Sequence, residues 1–157
     1  MNKHNIKAGK IPYCQVCFSK NLTQVINLGD QPLANTLIDN YEKINQYQSY
    51  PINVVRCDDC TLLQIDYVVD QEKVYHPEYP YLPGITPTVN NEQKELAEYL
   101  NEKLKLKEDN LVVDIGSNDG SLLKSFKSMN IDTIGVEPTN IAKLANKNGI
   151  KTLQSFF

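Results

Sequence analysis

Leu111-Val112-Val113-Asp114-Ile115-Gly116-Ser117-Asn118-Asp119-Gly120-Ser121 decides how the second half of the chain folds. Leu111 to Ile115 is apolar apart from Asp114, the pattern of a short strand buried in a parallel sheet. Gly116 permits a tight turn, and Gly120 lets a helix begin close to a ligand. Leu122, Leu123, Phe126 and Met129 then give that helix an apolar face. Ile131 to Val136 reads as a second strand. Ile141, Leu144 and Ala145 mark a second helix, closed by Asn148-Gly149, and Ile150 to Leu153 opens a third strand. This β-α-β-α order predicts a parallel α/β half-sheet whose ligand crevice lies at the carboxyl ends of the strands.

The loop is spaced Gly-x-x-x-Gly, not the Gly-x-Gly-x-x-Gly of pyrophosphate binders, and it suits a ligand with a small zwitterionic end. Glu137 closes the second strand, where a carboxylate can accept both ribose hydroxyl protons. Loop and acid together predict adenosine-type binding. The plain alternative is a glycine turn beside a surface Glu, with Asp114 or Asp119 merely capping the helix.

Upstream, Thr86 and Pro87 suit a helix start, and Leu96, Leu100 and Leu104 predict one buried stripe. Lys103, Lys105 and Lys107 read as the solvated end of that helix. Residues 71–88 read as an irregular loop holding Tyr75, Tyr79 and Tyr81. Before it, residues 11–70 read as a small β unit. Ile52 and Val54, then Leu63, Ile65 and Tyr67, alternate with polar residues as half-buried strands do.

All four cysteines fall in two brackets, Cys14-Gln15-Val16-Cys17 and Cys57-Asp58-Asp59-Cys60. Two CxxC pairs are the spacing of a closed, structural Zn(Cys)4 site. A redox CxxC needs only one pair, and Phe18-Ser19-Lys20-Asn21 is a poor helix start for it. Disulfides remain the other alternative. Phe18 and Thr61 follow the pairs where zinc knuckles often carry glycine, so a different local turn is expected.

The formal charge of −3 and the scattered 16 basic residues give no reason to expect binding to a phosphate backbone. No stretch reaches the length of a membrane span, and residues 1–10, a frayed terminus, form no secretory signal. A cytoplasmic location with reduced thiols is therefore expected.

Together these stretches resemble the C-methyltransferases that act on nucleotide-linked deoxysugars. The matching stretches are the two CxxC pairs, Leu28-Gly29-Asp30-Gln31-Pro32-Leu33-Ala34-Asn35, Tyr79-Pro80-Tyr81-Leu82-Pro83-Gly84, Val113 to Gly120, and Gly135-Val136-Glu137-Pro138. The resemblance implies a zinc-binding β domain at 11–70, a tyrosine-rich substrate loop at 71–88, and a helix plus the first half of a Rossmann-like, class I methyltransferase domain at 89–157. It implies S-adenosylmethionine and structural zinc as cofactors and a keto-sugar nucleotide as substrate. Proton abstraction beside the keto group would give an enolate that attacks the cofactor's methyl. Asp114, Gly116, Asn118, Asp119, Gly120 and Glu137 would line the cofactor, and Tyr79 and Tyr81 the substrate side, unless those tyrosines only pack.

The family loop usually carries Ser where this chain has Pro83, and its general base belongs to a downstream Tyr-His-Glu-His element. Neither His4 nor His76 lies in such a setting. The sequence thus predicts a truncated or split enzyme, inactive alone or completed by a second polypeptide, with Leu111 to Ile115 as an apolar edge. The rival function is a non-catalytic zinc-binding interaction module.

Overall fold

The computed structural model describes residues 7–37 and 40–157; His4 and most of the 1–10 terminus lie outside them. The chain divides into two compact units, one up to Val74 and one from Tyr75 onward.

In the first unit β1 (Gly9–Lys10) pairs antiparallel with β5 (Tyr67–Val68). Strands β2 (Leu22–Pro32), β3 (Ser49–Cys57) and β4 (Leu63–Ile65) form an antiparallel sheet in that order. Two register shifts bend β2 against β3, one between Gln24 and Ile26 and one between Asn27 and Asp30. The inner face of β3 carries Val55 and Cys57. Val55 lies opposite Gln64, so Gln64 shares that face and is buried, as is Asp66. Leu63 and Ile65 are exposed, which reverses the alternation expected from apolarity. Polar groups explain the reversal. Gln64 bonds the backbone on both sides of Cys14, and Asp66 accepts from Asn53 Nδ2 at 2.9 Å. A short helix, α1 (Gln71–Val74), stands where an irregular loop was expected, its start held by Asp70 Oδ1 on the Glu72 N–H.

In the second unit a 3-10 turn (Pro83–Ile85) leads into α2 (Pro87–Leu104). Thr86 occupies the N-cap position and Pro87 begins the helix, as expected, although the Thr86 hydroxyl makes no capping bond. Lys105, at φ +52°, ends it. The expected leucine stripe is not the buried face: Leu96 and Leu104 are exposed, and fully buried Ala97 is its centre, packed with Leu100 against Phe126 and Ile131. A small residue at the contact lets two helices approach closely.

Strands β6 (Leu111–Ile115), β7 (Asp132–Val136) and β8 (Thr152–Leu153) are parallel, in that order. Helices α3 (Ser121–Lys127) and α4 (Ile141–Lys147) connect them. Val112 joins the cores formed by Phe126 and by Leu123, Ala145 and Ile150. Burial of β6 on both faces does not occur: Leu111, Val113 and Ile115 are all about half exposed. Alternation sends them to the face opposite Val112, and β6 is the sheet's edge. On α4 the buried residues are Ile141, Ala142 and Ala145, with Leu144 left exposed. The protein is thus mixed α/β with small sheets. Among the described residues no helix is long and apolar enough to cross a membrane.

Candidate functional site

The two cysteine brackets fold into the same turn. Phe18 N donates to Cys14 O at 3.0 Å and Cys14 N to Ser19 O at 2.7 Å. The second bracket repeats this, with Thr61 N to Cys57 O and Cys57 N to Leu62 O both at 2.9 Å. Closing each turn this way needs a left-handed residue after the second cysteine. Phe18 and Thr61 supply it at φ +62° and +64°. The expected departure from the knuckle turn is therefore absent; the geometry is kept and the non-glycine residues carry the strain.

The four Sγ atoms lie within 4.8 Å of one another, with Cys14–Cys60 and Cys17–Cys57 each 3.5 Å apart. A tetrahedron with arms of about 2.3 Å has edges of about 3.8 Å, so four thiolates so placed fit one zinc ion. No disulfide joins them. Cys14 is drawn down to about 6, chiefly by the Cys17 backbone N–H, against the opposing effect of burial. The Ser19 N–H favours the Cys17 thiolate, but the Cys60 thiol, burial and the remaining thiols outweigh it and push Cys17 up to about 12. Gln64, which sequence reasoning missed, locks the first turn. Its Oε1 accepts from Gln15 N at 2.9 Å and its Nε2 donates to Tyr13 O at 3.0 Å. A glutamine four residues past a CxxC pair and inside a strand is a signal, but only the pairing register turns it inward.

The strain makes a prediction. Thr61 is exposed and β-branched, and its hydroxyl donates to the neighbouring Cys60 carbonyl. Thr61→Gly is expected to stabilise the zinc-loaded unit by about 1 kcal/mol, seen as a midpoint rise of about 5 °C in thermal melts. A lower midpoint would contradict the strained turn.

The glycine loop leaves β6 at Gly116, which has φ +78° and open space where a side chain would stand. The space a Cβ would need at Gly120 is filled by Ile150. Glu137 follows β7 and is only 5% exposed. Its Oε2 accepts from Asn118 N at 3.0 Å and its Oε1 from Thr139 N at 2.9 Å. Acid and loop therefore meet at the carboxyl ends of adjacent parallel strands, and each oxygen keeps a further acceptor position. Asp114 lies on the covered face of β6; burial, and then the charge of Glu137, raise its carboxyl above the ordinary range. Asp119 accepts from Gly84 N at 2.9 Å and from Ser121 N at 3.1 Å. Asn118 Nδ2 donates to Tyr81 O at 2.9 Å. The Tyr79 ring is half-buried against Tyr75 and edge-on to His76, while Tyr81 is exposed.

A cavity of about 440 Å³ opens between α2 and α3, lined by Asn90, Lys94, Asp119, Ser121 and Lys124 among others; neither Gly116 nor Glu137 lines it.

Two comparisons bear on this arrangement. Residues 14–75 match a family model described as "Putative zinc binding domain", a span that contains all four cysteines and Gln64. The chain is also 28% identical over 148 residues to the C-methyltransferase NovU of Streptomyces niveus. That alignment covers 94% of this chain and 35% of NovU, so the chain spans about a third of the relative's length. Residues 14–75, with their four-sulfur cluster, thus match a zinc-binding family model, and most of the chain is similar to a C-methyltransferase.

Proposed function

We propose that the chain is the zinc-binding and cofactor-binding part of an S-adenosylmethionine-dependent C-methyltransferase acting on a nucleotide-linked keto-deoxysugar. In this reading Cys14, Cys17, Cys57 and Cys60 ligate a structural Zn²⁺ within a β domain at 11–70. Residues 71–88 form the tyrosine segment, with Tyr79 and Tyr81 facing the substrate. Residues 89–157 form the first half of a Rossmann-like sheet.

One observation carries the cofactor assignment: Glu137, at the end of β7, reaches the backbone of the glycine loop after β6. Gly116 leaves the backbone there open. The ribose hydroxyls donate to Glu137, and Gly116, Asn118, Asp119 and Gly120 border the methionine end. The Glu137 carboxylate gives the crevice negative character. That favours a sulfonium and an ammonium over a pyrophosphate. When bound, the cofactor supplies an electrophilic methyl group. The chain's own residues orient it; the 157 residues hold no Tyr-His-Glu-His element, so proton abstraction is assigned to none of them.

Isothermal titration of the zinc-loaded chain with S-adenosylhomocysteine tests this. Saturable one-to-one heat is expected, with no comparable heat from NAD. Absence of heat with S-adenosylhomocysteine overturns the reading.

A further inference from the structure

The segment from Pro77 to Gly84 is tied down at both ends. At one end Asn140 N donates to Pro77 O, and Asn140 Nδ2 to Glu78 Oε1, both at 3.1 Å. At the other, Asn118 Nδ2 donates to Tyr81 O at 2.9 Å, and Gly84 N donates to Asp119 Oδ2 at 2.9 Å. Asn90 Nδ2 adds a bond to Gly84 O at 2.8 Å. Asn140 follows β7, whereas Asn118 and Asp119 follow β6. Because the two strands are parallel, the segment crosses the carboxyl ends of both.

Neither anchor is incidental. Asn140 Oδ1 accepts from Lys143 Nζ at 2.9 Å and from Gln154 Nε2 at 3.2 Å. Those two donors fix the amide's orientation and leave its Nδ2 to donate to Glu78. At Gly84 a side chain would collide with the Asp119 carboxylate, so only glycine permits that approach.

We propose that Asn140 and Glu78 are positioning residues that hold the tyrosine segment as a cover across the crevice, and so set cofactor affinity without touching the cofactor. The proposal rests on the cofactor reading above. A cover held at two ends slows ligand escape, so releasing either end raises the dissociation rate more than it changes association.

The test uses S-adenosylhomocysteine and the zinc-loaded full chain. Asn140→Ala and Glu78→Ala are each expected to raise Kd roughly three- to tenfold, as expected for losing one charge-assisted hydrogen bond. Glu78→Gln keeps the acceptor oxygen and is expected to stay within twofold of the parent. The double variant is expected to be no weaker than the worse single, because both remove the same bond. Gly84→Ala, at the other anchor, is expected to weaken binding by a similar factor. The side chain of Glu78 is exposed, so Glu78→Ala keeps the parent's melting midpoint and separates positioning from folding. Parental affinity in both Glu78→Ala and Gly84→Ala overturns the cover alone. Equal loss in Glu78→Gln and Glu78→Ala overturns the Asn140 bond as its cause. A parent chain that binds no S-adenosylhomocysteine overturns the cofactor reading and the cover together.

Discussion

Cys57→Ser is expected to strip zinc from the chain and unfold the unit that ends at Val74, while the unit from Tyr75 onward keeps its structure. The reason is the size of the first unit's apolar core. Apart from cysteines, its buried hydrophobic residues among those described are Ile11, Tyr50 and Val55. At about 2–3 kcal/mol for each buried side chain, they supply under about 10 kcal/mol. Ordering each residue's backbone costs about 1–2 kcal/mol, so three side chains do not hold such a unit. A closed Zn(Cys)4 site contributes about 10–16 kcal/mol near neutral pH, more than those three side chains together. Cys57 is fully buried at the end of β3, and a serine hydroxyl there neither ionises nor binds zinc as a thiolate does. Chelation of the parent should give the same spectrum. The measurement is zinc content together with amide NMR signals, those of β2 and β3 collapsing and those of α2 and α3 persisting. Retention of the β2–β3 cross-strand signals in a zinc-free sample would sink the argument.

Glu137→Ala is expected to cost about 2–6 kcal/mol of stability in the second unit and to abolish S-adenosylhomocysteine binding. The carboxylate satisfies the N–H groups of Asn118 and Thr139, and Thr139 is fully buried. Removing it leaves both donors unpaired, at about 1–3 kcal/mol each. It also removes one tie of the glycine loop, leaving the bonds of Gly116 N and Ser117 N to Val136 O, and removes the acceptor proposed for the ribose hydroxyls. Glu137→Gln separates the two effects. Its one amide oxygen satisfies one donor and its NH₂ opposes the other, so roughly half of the stability returns. Denaturant melts and calorimetry on the three proteins check this. A Glu137→Ala chain as stable as its parent would show that the loop does not depend on the acid.

Both sites were legible in the sequence where chemistry is local. A CxxC bracket states its donors and their reach within four residues, and the glycine loop with Glu137 states a strand, a bend and an acid. What escaped was whatever depended on pairing partners. Apolarity placed Leu63 and Ile65 inward, but the Val55–Gln64 register turned Gln64 and Asp66 in instead. Leucine spacing on α2 suggested a stripe, yet the approach of α3 selected Ala97. Nothing in the local sequence indicates that Asn140, two residues beyond Pro138, bonds a glutamate 62 positions earlier.

The sequence by itself determined which four thiols gather in one cluster, the order of strand and helix from Leu111 onward, and the pairing of a glycine bend with an acid. Those depend on residue type and short spacing, which the chain carries wherever it folds. Only the tertiary structure decided which face of β4 and of α2 is buried, that Phe18 and Thr61 take left-handed conformations, and that Pro77 to Gly84 crosses the ends of β6 and β7. Each of those is a compromise between distant groups competing for the same space or hydrogen-bond partner, and it has no counterpart in any short stretch read alone.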